Sequence, residues 1–156
     1  MKFKAIKLRE YPLEQAKGRA VMMQVAMGIV FNSVGKLLIA QRDREKNFGG
    51  LWEFPGGKLE PGETPSEGLV RELREELSIE VTIHTVYYSY LYTSENLKIE
   101  FHPIYCFLSH GEPENSEHEQ LIFTNPDKLD SYNFAPPDYT AVDLVKRDFG
   151  NMPTIH

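Results

Sequence analysis

Apolar residues fall mostly in short blocks separated by turn formers, which is strand patterning, and take up helical spacing in two places. The blocks MMQVAMGIVF (22–31) and KLLIAQR (36–42) read as strands around the turn-forming Asn32-Ser33-Val34-Gly35. Residues 43–50 are polar and close on Gly49-Gly50, which makes them a loop. A short apolar run, Leu51 to Phe54, stops at Pro55-Gly56-Gly57. Helical periodicity follows over 65–77, and further strands are expected at 81–92, 99–108 and 119–124. Asn125-Pro126-Asp127 marks a helix or turn start, and a last helix is expected over 138–147. Strands outnumber the helices scattered between them, so the expected fold class is α+β, a mixed sheet with helices packed on it.

At 156 residues and 18.0 kDa the chain has the size of one domain. A chain of that length buries roughly 70% of its unfolded surface. Apolar residues at 41% and charged residues at 26% exclude a disordered chain. Acids outnumber bases 23 to 17, a net charge of −6, which gives no support to nucleic-acid binding through the whole surface. The charge is uneven. Residues 1–20 carry Lys2, Lys4, Lys7, Arg9, Lys17 and Arg19 against Glu10 and Glu14, a local balance of 6 − 2 = +4. Residues 56–81 hold seven glutamates against Lys58, Arg71 and Arg74, a balance of 3 − 7 = −4. Cys106 is the one cysteine, which rules out an internal disulfide framework and a cysteine zinc cage; its apolar strand suggests a core position. The longest apolar stretch, Val25–Phe31, is far short of the ~20 residues of a membrane span. With no apolar segment behind the basic N-terminus, the expectation is a soluble, cytoplasmic single domain over 1–156, with 1–20 as a basic extension.

The first helix carries the candidate chemistry. Thr64 suits the N-cap, Pro65 the first helical position, and Glu67 completes a capping box. Leu69, Val70, Leu73 and Leu77 form an apolar stripe expected to face the core. Glu72, Glu75 and Glu76 are related by i,i+3 and i,i+4 and share an arc of about 100° beside that stripe. Their mutual repulsion costs a few tenths of a kcal/mol per pair, and the helix dipole disfavours anions toward the C-terminus. A cation that neutralises them explains the arrangement. Alone, such spacing also describes a solvated acidic face; here Gly56-Gly57 supplies backbone that approaches a ligand closely. Oxygen-only ligation without clustered histidine or cysteine points to Mg²⁺ or Mn²⁺, ions that act on phosphates. Spacing alone therefore ends at a hydrolase or transferase with a phosphate substrate.

Residues 57–79, GKLEPGETPSEGLVRELREELSI, resemble the Nudix box: G, five residues, E, seven residues, then REUxEExGU with U aliphatic. Gly57, Glu63, Arg71, Glu72, Leu73, Glu75, Glu76 and Ile79 match, whereas Ser78 stands where the family has glycine at the helix end. A serine in a left-handed position costs roughly 1 kcal/mol and removes no ligand. The stretch Val25–Val81, with IAQR and LWEFPGGKLEPGETP, looks like the MutT branch, and the resemblance runs over about 22–147.

The resemblance implies an α/β/α sandwich around a mixed sheet and a divalent-metal hydrolase acting on nucleoside diphosphates linked to another group. In the MutT branch, water attacks the β-phosphorus of a triphosphate and releases monophosphate and pyrophosphate. By position, Glu72, Glu75 and Glu76 would hold Mg²⁺ or Mn²⁺, with the Gly57 carbonyl as a further ligand. Arg71 would orient the glutamates and Glu63 would support the box. A further glutamate, metal ligand and base for the attacking water, follows a GEP-like turn in this branch. Counting on from Gly111-Glu112-Pro113 brings Glu117 to that position, with Glu119 as the alternative; a plain acidic surface loop explains the same residues equally well. Arg42, Phe54 and Lys58 would meet the substrate, Phe54 by lining the base pocket. Asp138 in Phe134-Ala135-Pro136-Pro137-Asp138 would read the base edge, or would simply cap the last helix.

His84, His102, His110, His118 and His156 lack ligand spacing and are expected to be structural or on the surface. The first expectation is a MutT-like enzyme acting on oxidised purine nucleotides such as 8-oxo-dGTP, as monomer or homodimer and without a membrane partner. The alternatives are a pyrimidine triphosphate, ADP-ribose, a 5′-triphosphate RNA end, which the basic 1–20 arm would favour, or a silent nucleotide-binding module.

Overall fold

The computed structural model describes residues 21–95 and 97–150; the basic 1–20 segment and His156 lie outside them. The frame of the molecule is β1 (Val21–Phe31), which pairs in parallel with β7 (Leu97–His110) along its whole length. On its other side β1 meets β2 (Leu37–Gln41) next to the Asn32 turn and β4 (Gly56–Lys58) further back, both antiparallel. The Asn32 side chain closes that turn by accepting from the backbone N–H groups of Val34 and Lys36. β3 (Trp52–Glu53) and β8 (Gln120–Thr124) flank β2, while β5 (Glu80–Val86) and β6 (Tyr90–Ser94) both lie antiparallel to β7. The sheet is mixed, as the strand pattern predicts.

Because β1 is central, its alternate residues supply two cores. Met23, Val25, Met27, Ile29 and Phe31 pack with Ala141, Val142, Val145 and Phe149 of α2 (Tyr139–Phe149). Ala26 and Val30 pack with Leu69, Leu73 and Leu77 of α1 (Pro65–Leu77). Each of those three fully buried leucines contributes about 2 kcal/mol before its entropy cost. Gly28, between Ala26 and Val30 on the same face, lets the helix come close: a Cβ there would lie 3.2 Å from Leu69 Cδ1 and 3.1 Å from the Pro55 carbonyl oxygen. Helices therefore cover both faces of the sheet.

The α1 capping box is complete, with Thr64 Oγ1 accepting from the Glu67 N–H and Glu67 Oε1 from the Thr64 N–H. At the other end Ser78 adopts φ 58°, ψ 34°, the left-handed conformation of the family glycine. Its N–H caps Arg74 O, and its hydroxyl donates to Glu114.

Two expectations need correction. The single strand expected over 81–92 is two, β5 and β6, split at Tyr87–Ser89. Pro103 of β7 stands opposite the split; it has no N–H for the ladder, and its carbonyl takes the Tyr87 N–H instead. Val70 is only half-buried, and the buried stripe of α1 runs through Glu72 and Glu76 as well as the leucines. The last helix forms where it is expected, as α2, after a 3-10 turn over Pro136–Asp138. Cys106 is in the core, where burial pushes its thiol up to about 12.

Candidate active site

The helix brings its carboxylates to β4. Glu72 is fully buried and Glu76 nearly so, one turn apart, whereas the Glu75 side chain is half exposed. Glu72 lies directly against Gly57, where a Cβ would stand 2.4 Å from its carboxyl carbon. Arg71 ties the cluster together. Its guanidinium grips Glu63 through Nε (2.6 Å) and Nη2 (2.9 Å), and donates to Glu72 (2.9 Å), to Glu75 (3.3 Å) and to the Lys58 carbonyl (3.1 Å). One planar fork thus orients two glutamates of the helix and joins helix, turn and β4.

The electrostatics follow the geometry. The Arg71 hydrogen bonds hold the Glu63 carboxyl below its usual range, and Glu63 in turn keeps Arg71 firmly cationic. Burial raises Glu72, and Arg71 opposes that rise.

The loop after β7 closes over the C-terminal end of α1. Gly111, at φ 90°, passes the helix end where a Cβ would lie 2.7 Å from Ser78 O. The Glu114 N–H donates to Leu77 O (2.9 Å), and Ser116 Oγ donates to Glu76 O (3.3 Å). Glu117, half-buried, follows directly. Glu119 turns the other way: its N–H donates to Gln41 O (2.9 Å) and its carboxylate accepts the Arg44 N–H (3.3 Å).

A second cluster surrounds a small cavity lined by Arg42, Phe48, Glu53, Phe101, Ala135, Pro137 and Asp138. The backbone of Arg42 closes the 43–50 loop through Gly50 and Leu51, and its side chain, buried, pairs with Glu53 at 2.6 Å. Arg42 Nε donates to Asn47 O (2.6 Å). Glu53 is itself buried, and its second oxygen meets His118 Nε2 at 3.0 Å. Residues 133–135 bracket β3, with the Trp52 N–H on Asn133 O and the Ala135 N–H on Trp52 O, which carries Asp138 to the neighbouring Phe54. Asp138 Oδ2 accepts the Phe54 N–H at 2.8 Å. Burial, reinforced by the charge of Glu53, raises the Asp138 carboxyl well above the usual range, toward the form that both donates and accepts. Phe48 is held at φ 56° in the left-handed region. That conformation costs a bulky residue about 1–2 kcal/mol.

The family model for the NUDIX domain matches residues 22–150. The chain belongs to the Nudix family. The CTP pyrophosphohydrolase of Escherichia coli K12 is 38% identical over 117 residues, 75% of this chain and 86% of that protein. The 8-oxo-dGTP diphosphatase of Haemophilus influenzae is 32% identical over 133 residues, 84% and 96% of the two chains. Among solved structures, that of the E. coli ORF135 protein superposes with a TM-score of 0.70 at 32% identity, covering 92% of this chain and 100% of that one. Like the relatives named here, this Nudix protein is a hydrolase.

In this Nudix chain the box residues Gly57, Glu63, Arg71, Glu72, Glu75 and Glu76 meet at β4 and α1. Among the described residues, no three acidic, histidine or cysteine side chains are grouped so that they could hold a metal ion by themselves. A divalent ion that is held in part by water and by phosphate oxygens of the substrate does not need such a group. The hard carboxylate oxygens of Glu72, Glu75 and Glu76 fit such an ion. Lys58, half-buried, contributes its carbonyl to Arg71.

Two readings of the second cluster change. The Phe54 ring does not line the cavity: it is fully buried and stacks on Phe134 at 5.3 Å, and the aromatics at the cavity are Phe48 and Phe101. Asp138 makes no side-chain cap to α2, because its carboxylate is turned to Phe54. Glu53 and His118 escape sequence reasoning. Their contact spans 65 residues of chain, and nothing local to either signals it. No helix among the described residues is long and apolar enough to cross a membrane.

Proposed function

We propose that this chain is a Mg²⁺- or Mn²⁺-dependent pyrophosphohydrolase of MutT type that converts an oxidised purine nucleoside triphosphate such as 8-oxo-dGTP to monophosphate and pyrophosphate. The observation that carries the reading is the placement of Glu72, Glu75 and Glu76 on one side of α1, with Arg71 bonded to Glu72 and Glu75 and with Glu72 seated on Gly57 of β4. Those three glutamates, the Gly57 carbonyl and Glu117 would hold the metal. When bound, the metal neutralises triphosphate charge and lowers the pKa of water. Arg71 keeps the carboxylates aimed, and Glu63 keeps Arg71 in place. Glu117 takes the proton of the water that attacks the β-phosphorus, a role favoured over Glu119 because the neighbouring Ser116 is bonded to Glu76 while the Glu119 carboxylate is turned to the Arg44 N–H. Arg42 would meet the substrate and Asp138 would read the base edge, both from the cavity wall.

A second reading takes a cytidine triphosphate as substrate, and the identity to the CTP pyrophosphohydrolase favours it. A carboxyl accepts from a base N–H when ionised and can also donate when protonated, so Asp138 suits either base edge. The test is kcat/KM with Mg²⁺ for 8-oxo-dGTP, dGTP, CTP, dCTP, ADP-ribose and a triphosphorylated RNA. Preference for 8-oxo-dGTP supports the first reading and preference for CTP or dCTP the second. Preference for ADP-ribose or RNA contradicts both.

A further inference from the structure

We propose that Glu53 and His118 form a positioning pair that ties the loop carrying Glu117, already bonded to the end of α1 through Ser116, to β3 and the wall of the nucleotide cavity. The inference rests on the assignment of Glu117 as the base. Glu53 is a fully buried carboxylate whose two oxygens are divided between Arg42 Nη1 at 2.6 Å and His118 Nε2 at 3.0 Å. Arg42 belongs to the cavity wall at the end of β2; His118 belongs to the loop after β7.

The His118 side chain is 5% exposed, an unusual place for an imidazole in an acidic surface loop. Its backbone is fixed as well: Asn115 Oδ1 accepts the His118 N–H at 2.9 Å, and Asn115 Nδ2 donates to His118 O at 2.8 Å. On the other side of Glu117, Ser116 is bonded to Glu76 O. Glu117 is therefore held between two anchors, one on α1 and one on β3. A buried carboxylate requires compensating partners, so releasing His118 both frees the loop and leaves a Glu53 oxygen without its donor.

The test compares wild type, His118→Ala and His118→Gln, whose amide reaches Glu53 as Nε2 does. Two quantities are read: backbone hydrogen exchange over 111–119 in the metal-free protein, and kcat and KM on the preferred nucleotide. His118→Ala is expected to speed exchange in the loop about tenfold and to lower kcat about 10–100-fold, the usual cost of losing a supporting contact, with KM within about twofold. His118→Gln restores both. Unchanged exchange in the alanine variant, a rise in KM with kcat preserved, or no recovery in the glutamine variant overturns the proposal. Should His118→Ala not fold, His118→Asn, whose amide falls short of Glu53, takes its place in the comparison. If wild type hydrolyses no nucleotide, the functional reading falls, and the exchange comparison still decides whether His118 holds the loop.

Discussion

The carboxyl group of Glu72 occupies the space that a side chain at Gly57 would need. Residues 15 apart in sequence are therefore one structural unit: β4 must lack a Cβ so that a buried carboxylate of α1 can lie against its backbone. Gly57 does not have a positive φ, so alanine suits its backbone and the conflict is confined to Glu72.

Gly57→Ala is expected to fold with a loss of about 1–3 kcal/mol from overpacking and to lose about 100-fold in kcat as Glu72 is displaced. Urea denaturation and steady-state kinetics on the same preparation check both.

Arg71→Lys keeps the charge and loses the fork. An ammonium cannot hold Glu63 through two bonds while also reaching Glu72 and the Lys58 carbonyl, so a buried carboxylate is left poorly compensated. The expected cost is about 3 kcal/mol in urea unfolding, with activity falling alongside. A lysine variant as stable as wild type would remove Arg71 from its central place.

The two loop glutamates separate cleanly. Glu117→Gln is expected to lower kcat by about 10²–10⁴, the range for a lost general base. Glu119→Gln, whose carboxylate meets the Arg44 N–H at the surface, is expected to stay near wild type. Parallel kinetics on the two variants decide the point.

Local chemistry makes much of this structure legible. The Thr64–Glu67 capping box, the leucine stripe and the glutamate spacing are neighbours in sequence, and they predict α1 and its acidic cluster together. The β5/β6 break is hidden because its cause, Pro103, lies on a different strand. The Phe54 ring and the Asp138 carboxylate are hard to place for a related reason. Each is directed by a partner distant in sequence, Phe134 for the ring and the Phe54 N–H for the carboxylate. Long-range contacts of this kind leave no periodicity to read.

Asp138 gives a pH prediction with a definite sign. Its folded-state carboxyl holds its proton to higher pH than the ordinary value of 3.8, chiefly through burial. The folded protein therefore binds more protons than the unfolded chain between that value and the raised one, and this group's contribution to stability falls as pH rises through that window. Asp138→Asn, which keeps an acceptor for the Phe54 N–H and cannot ionise, is expected to flatten that limb. Urea midpoints for both proteins, taken across the acidic-to-neutral range, test it; parallel curves would contradict the assignment.

The most direct measurement is the identity of the products formed from 8-oxo-dGTP with Mg²⁺, in wild type and in Glu76→Gln. The account predicts monophosphate and pyrophosphate in equal amounts from wild type, and little of either from a variant that still folds. Release of orthophosphate with the nucleoside diphosphate, or a Glu76→Gln variant as active as wild type, would contradict it.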